Sequence, residues 1–131
     1  MPERCWTLVG AHDRDKGTFL VSTVQERAGS EAQVEADWAW SLRREEEEGD
    51  VQGFFHTHLS GVGSRPSATD IRSMQAWTVA LGKPLLCLIA EEGAAGEPSG
   101  YLFEEGSGEG TMKVVMPGLR DGKWRVDYEL E

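Results

Sequence analysis

Basic residues are scarce in this chain beside acidic ones: 13 lysines and arginines stand against 23 aspartates and glutamates, a formal net charge of −10. A surface of that sign repels phosphate backbones, which argues against a nucleic-acid partner and favours one with a basic face. Cysteine is scarcer still. The two present, Cys5 and Cys87, lie in apolar runs with no C-x-x-C or other ligand spacing, so they read as buried free thiols of a reducing compartment, with a disulfide between them the less favoured alternative. No apolar run approaches the length of a membrane span, and the start Met1-Pro2-Glu3-Arg4 has no signal-peptide pattern. The expectation is a cytoplasmic protein with no membrane partner. Internal repeats and linkers are lacking too, and 131 residues suit one domain, 1–131, with a core of its own.

What is present alternates between two periodicities. Residues 5–9 are mostly apolar and end at Gly10, and residues 18–24 are dense in β-branched and aromatic side chains, so the two read as strands of a hairpin around a polar turn at 12–17. His12, in that turn, reads as a surface residue. Ser30 with Gln33 has capping-box spacing for a helix running to about Glu48, with Val34, Trp38 and Leu42 as its apolar stripe and a frayed, solvated acidic end at Glu45 to Glu48. Val51–His58 reads as a strand and Ala68–Leu81 as a helix closed by Gly82 and Pro84. Residues 84–90 are continuously apolar, as in a strand buried on both faces, and 91–100 form a loop. Further strands are expected at 101–105, 112–116 and 123–130. Interleaved strands and helices with several hairpins predict an α+β fold, an α/β sandwich of one mixed, mostly antiparallel sheet with helices packed on it.

The chemistry gathers between residues 53 and 70. His56 and His58 are two apart on a strand and so point to one face. A Gly/Ser-rich loop follows, then Pro66 and Ser67 as the approach and N-cap of the next helix, with Asp70 three residues on. Two imidazoles and a carboxylate converging make a three-ligand zinc site with one coordination position open, as catalytic zinc uses. Each residue also has an ordinary reading. Strand histidines can simply be hydrogen-bonded to backbone, and Ser67 with Asp70 is a capping pair whether or not a metal is present. The two roles compete at Asp70, since a carboxylate given to zinc is expected to cap poorly.

The pattern His56-x-His58, then Pro66-Ser67-x-x-Asp70, resembles the JAMM (MPN-plus) metalloprotease motif. The start Glu3-Arg4-Cys5-Trp6-Thr7-Leu8-Val9-Gly10 is similar to that family's E-x-C-G-x-L-x-G, with Trp6 where glycine is common. The tryptophan-containing helix before the site and the apolar strand after it also resemble the short prokaryotic members, so the likeness covers nearly the whole chain. Leu59 stands where the family usually has proline, and the loop to Ser67 is one residue longer than the usual form. Only Met1 and Pro2 precede the glutamate strand, where members carry a helix, so the expectation is either a trimmed start or a bared face covered by a second copy in a homodimer.

The resemblance implies an MPN/cytidine-deaminase-like fold and one catalytic Zn²⁺ held by His56, His58 and Asp70. It makes Glu3 the general base and Ser67 the hydrogen-bond donor to the oxyanion. The implied reaction is hydrolysis of the amide bond after the C-terminal glycine of ubiquitin, or of a ubiquitin-like or sulfur-carrier protein. The extended tail of that substrate would lie as an added strand beside a sheet edge near residues 59–65. The reading from a different class is a non-catalytic MPN scaffold that only binds partners.

Overall fold

A computed structural model describes residues 3–28, 36–93, 98–104 and 113–129. Seven strands and two helices follow one another as β1 (Arg4–Asp13), β2 (Thr18–Ala28), α1 (Trp38–Glu48), β3 (Val51–His58), α2 (Ala68–Leu81), β4 (Leu85–Glu91), β5 (Ser99–Phe103), β6 (Lys113–Arg120) and β7 (Lys123–Asp127). The strands pair in the order β1-β2-β7-β6-β5-β4-β3, and β3 pairs back onto β1, so the curled sheet closes on itself. Every pairing is antiparallel except β3 with β4, the two strands joined through α2. A parallel pair needs such a crossover, because a tight turn can only reverse the chain.

The expected α/β sandwich is therefore corrected to a sheet-dominated, barrel-like fold. Two local causes stand out. β1 and β2 run 10 and 11 residues, well past their expected ends, which gives the sheet enough length and twist to bring β1 round against β3. In addition, α1 is no packed layer. Its N-cap is Asp37, whose Oδ1 accepts from the Trp40 N–H at 3.1 Å, and Ser41 is its one buried residue while Trp38 and Leu42 stay exposed. The expected start at Ser30 with Gln33 and Val34 lies outside the described residues. Its acidic end is also better held than expected: Gly49 in the left-handed region returns its N–H to the Glu45 carbonyl, and the Glu45 carboxylate takes the Lys83 ammonium at 2.9 Å.

The core lies on both sides of the sheet, sorted by strand alternation. Inside the barrel, Leu8, Phe19, Val21, Leu86, Leu88, Leu102 and Val126 form one cluster. On the outer face, Phe54, Leu85, Cys87, Ile89, Tyr101 and Phe103 meet Ile71, Met74 and Trp77 of α2. Successive residues of β4 thus serve opposite clusters, as period-2 geometry requires of a strand buried on both faces. Burial of each large α2 side chain contributes about 1.5–3 kcal/mol, enough to seat the helix firmly. That seating matters because the helix start carries Ser67 and Asp70. Cys5 and Cys87 are free thiols, both buried in the outer cluster, and burial pushes the Cys5 thiol up to about 12. No described helix is long and apolar enough to cross a membrane.

His12 departs from its expected place. β1 runs through it, and its ring stacks on Phe19 with centroids 3.9 Å apart while Nε2 lies 2.6 Å from the Tyr128 hydroxyl. It is a half-buried packing residue at the far end of β1 from Glu3.

β3 sits close to both neighbours, and Gly53 permits it. At φ +152 a Cβ on this residue would stand 1.8 Å from the Leu86 carbonyl oxygen of β4, an approach that no side chain allows. Gly53→Ala is expected to cost about 3 kcal/mol in urea denaturation, whereas Gly61→Ala, also at positive φ but with nothing within 4 Å, costs about 1 kcal/mol. Equal costs at the two positions would count against this close packing of β3 on β4.

Candidate metal centre

Phe54, His56 and His58 alternate onto the β3 face that α2 covers, so both imidazoles look toward the helix start. Ser67 caps that helix in extended conformation, its Oγ accepting from the Asp70 N–H at 3.1 Å, while Asp70 Oδ2 accepts from the Ser67 N–H at 2.8 Å. This capping box aims the Asp70 carboxylate back at the strand. Oδ2 lies 3.0 Å from His58 Nε2 and Oδ1 lies 3.6 Å from His56 Nε2. Oδ2 thus carries both the cap and the His58 contact, whereas Oδ1 stands outside the cap and faces His56, so the expected competition between capping and ligation falls on Oδ2 alone.

The three side chains meet the chemical demands of a metal centre. One ligand atom from each of His56, His58 and Asp70 falls within 4.8 Å of the others. Tetrahedral donors at about 2.0–2.2 Å from a zinc ion stand roughly 3.4 Å apart, close to the two observed histidine–aspartate separations. The His58 ring is also oriented for the task. Its Nδ1 lies 2.9 Å from the Gly63 carbonyl, which can only accept, so the proton sits on Nδ1 and Nε2 is the nitrogen presented to the site. His56, 8% exposed, has Nε2 3.8 Å from the buried Cys87 sulfur.

Protonation in the metal-free protein follows from burial and pairing. Burial depresses the His56 pKa against the pull of Asp70, keeping that ring neutral. At His58 the hydrogen bond to Asp70 wins over burial, helped by the Gly63 carbonyl and the nearby charges of Asp70 and Glu3, and the pKa rises. Burial alone would raise the Asp70 carboxyl, but His58, His56 and the Ser67 groups together outweigh it and hold it low. In the metal-free site these interactions bias His58 toward its charged form and His56 toward its neutral form.

Glu3 arrives from the other side. β1 pairs with β3 so that Cys5 faces His56. Two residues earlier on β1 and two later on β3, this antiparallel register puts Glu3 alongside His58. Its carboxylate lies near the Leu59 N–H, and the residue is 8% exposed. Burial raises its pKa, which His58 and the Leu59 N–H partly counter and Asp70 reinforces. Glu3, His56, His58, Ser67 and Asp70 all line one cleft of about 330 Å³, whose remaining walls include the aromatic rings of Phe54, Trp77 and Trp38. Trp38 and Trp77 stack with centroids 3.6 Å apart. Each of the five residues singled out from the sequence is thus at this cleft.

Among the described residues each strand has a neighbour on either side, but β4 extends to Glu91 while its pairing with β5 stops at Ile89. One feature escaped the sequence reading. Glu91, expected in a loop, instead ends β4 directly across from His58, and its Oε2 accepts from the N–H groups of both Gly61 and Gly63 at 2.8 Å. An acidic residue after an apolar run carries no sequence signal of that role; only strand register supplies it. Compared with models of known protein families and with curated proteins, the chain matches none.

Because the doubly protonated His58 ring must give up its Nε2 proton to bind a cation, metal uptake should release protons and weaken as pH falls below the raised His58 pKa. Calorimetric zinc titrations at mildly acidic pH, in buffers of different ionisation enthalpy, will show this as a buffer-dependent heat, and a buffer-independent heat there would remove His58 from the ligand set. His58→Gln and Asp70→Asn should each weaken zinc binding by more than about 100-fold, beyond the cost of losing an outer partner.

Proposed function

We propose that the protein is a single-zinc metallopeptidase. Its substrate is a ubiquitin, ubiquitin-like or sulfur-carrier protein, cut at the amide bond after the C-terminal glycine. The observation that carries this reading is the buried Glu3 carboxylate in the same cleft as His56, His58 and Asp70. A purely structural metal site is closed by four protein ligands and has no need of a further buried carboxylate. A binding scaffold has no need of one either.

His56, His58 and Asp70 would hold the zinc ion, which when bound lowers the pKa of a water and polarises a carbonyl oxygen. Glu3 acts as general base: it takes a proton from the attacking water and passes it to the leaving amine. Its burial favours this work, because a raised pKa brings the carboxyl nearer the operating pH. Ser67 Oγ accepts from the Asp70 N–H, which leaves the hydroxyl's own proton to donate to the oxyanion. The aromatic rings lining the cleft would flank the substrate chain beside the scissile bond.

A net charge of −10 supports a substrate with a basic tail or face. The extended tail would lie as an added strand beside the sheet edge near residues 59–65, as the resemblance implies. The deciding experiment incubates the protein with ubiquitin-like proteins carrying C-terminal extensions and reads cleavage by mass spectrometry. Cutting after the terminal di-glycine is expected from the wild type. Glu3→Gln should retain stoichiometric zinc while turnover drops by roughly 10²–10⁴. Undiminished cleavage by that variant removes Glu3 as base, and a wild type without stoichiometric zinc turns the reading to a binding scaffold.

A further inference from the structure

We propose that Glu91 is a positioning residue for the metal centre, fixing the tautomer and direction of the His58 ring through the loop at residues 59–65. The inference rests on the reading of His58 as a ligand. It begins from a difficulty that the loop poses. Gly61 and Gly63 both stand at positive φ, +88 and +90, with nothing within 4 Å of the place a Cβ would occupy. A run of glycine and serine in open space has many backbone states and no ladder to choose among them. Yet the Gly63 carbonyl must stay in one place, because it takes the Nδ1 proton of His58 at 2.9 Å and so decides which nitrogen is offered to the metal.

Glu91 supplies the missing constraint. One carboxylate oxygen accepts from two alternate N–H groups of the loop, Gly61 and Gly63, each at 2.8 Å, lengths of strong charge-assisted hydrogen bonds. Gly63 is therefore gripped at its N–H by Glu91 while its carbonyl grips His58. The anchor itself is rigid. Glu91 is the last residue of β4 and pairs across the parallel ladder with His58, and the next N–H, from Glu92, donates to the His58 carbonyl at 2.8 Å. The connections form a closed circuit from the His58 ring to Gly63, to Glu91, across the ladder and back to the His58 backbone. Losing the carboxylate opens the circuit at the one link not made by backbone or by the ligand itself.

Other groups hold the same loop without touching this circuit, which provides the control. The Tyr101 hydroxyl donates to the Ser64 carbonyl at 3.1 Å, and Tyr101→Phe deletes that tether alone. Two readouts are taken on the full chain. The first is zinc affinity by chelator competition. The second is the solvent exchange of the His58 Nδ1 proton in the metal-free protein by nitrogen-15 NMR.

Glu91→Ala should weaken zinc binding about 10–100-fold, the cost typical of an outer partner, and expose the Nδ1 proton to fast exchange. Glu91→Gln keeps an acceptor oxygen and should recover most of both, while Tyr101→Phe leaves affinity within about twofold of wild type and the proton protected. Should Glu91→Ala fail to fold, Glu91→Asp, which withdraws the carboxylate by one methylene, carries the same expectation. A protected Nδ1 proton in the Glu91 variant overturns the proposal, and so does an equal loss in Tyr101→Phe, which would make any loop tether equivalent. If the wild type binds no zinc and Glu91→Ala still frees the proton, the metal reading fails while the positioning of His58 stands.

Discussion

The cleft depends on the register in which β3 lies between β1 and β4. On one side the antiparallel ladder sets Cys5 opposite His56 and carries Glu3 to His58; on the other, the parallel ladder sets Glu91 opposite His58. A slip of one residue on either side would turn the partner side chain to the other face of the sheet. Several features guard against that slip. Gly53 lets the β4 backbone approach, the Gln52 side chain donates to the Gly10 carbonyl at 3.0 Å, and Gly10 donates to the Asp50 carbonyl at 2.9 Å. Buried apolar side chains on alternate faces do the rest, since any shift would expose one cluster and bury polar atoms in the other.

The same burial acts on four titratable groups with different results. It lowers His56 and raises Glu3, whereas at His58 the hydrogen bond to Asp70 overrides it and at Asp70 the contacts of His58, His56 and Ser67 together do. Environments that push neighbouring groups apart are what acid–base chemistry requires, because one group must be ready to accept a proton while another is already charged. Here His58 is biased toward its charged form and Asp70 toward its carboxylate, while Glu3 is biased toward taking a proton. Every buried side-chain nitrogen and oxygen among the described residues has a hydrogen-bond partner, so these perturbations are not the by-product of a poorly satisfied interior.

The helix start performs two jobs at once. Ser67 and Asp70 complete the reciprocal cap that satisfies the first-turn N–H groups, and that cap points the Asp70 carboxylate at the histidines. Stability and site geometry are coupled here. The α2 face of Ile71, Met74 and Trp77 holds the cap in place against Phe54 and Cys87, so the position of a candidate ligand rests on apolar packing that extends about two turns beyond it.

The local elements of the site were legible in the sequence because they are written in short-range patterns. Val51–His58 and Ala68–Leu81 have the expected limits, since a period of two and a capping box are properties of neighbouring residues. The grouping of His56, His58 and Asp70 follows from those elements being adjacent in the chain. The closed strand order was not legible, because pairing of β1 with β3 joins residues some fifty positions apart and depends on accumulated twist. His12 misled for a related reason: its polar surroundings in sequence give no sign of the Phe19 and Tyr128 rings that receive it. Sequence alone determined which residues can bind a metal and on which elements they lie. Tertiary structure alone decided that Glu3 stands beside His58 and that Glu91 holds the loop, since both placements arise from strand register, a long-range property that no local pattern encodes.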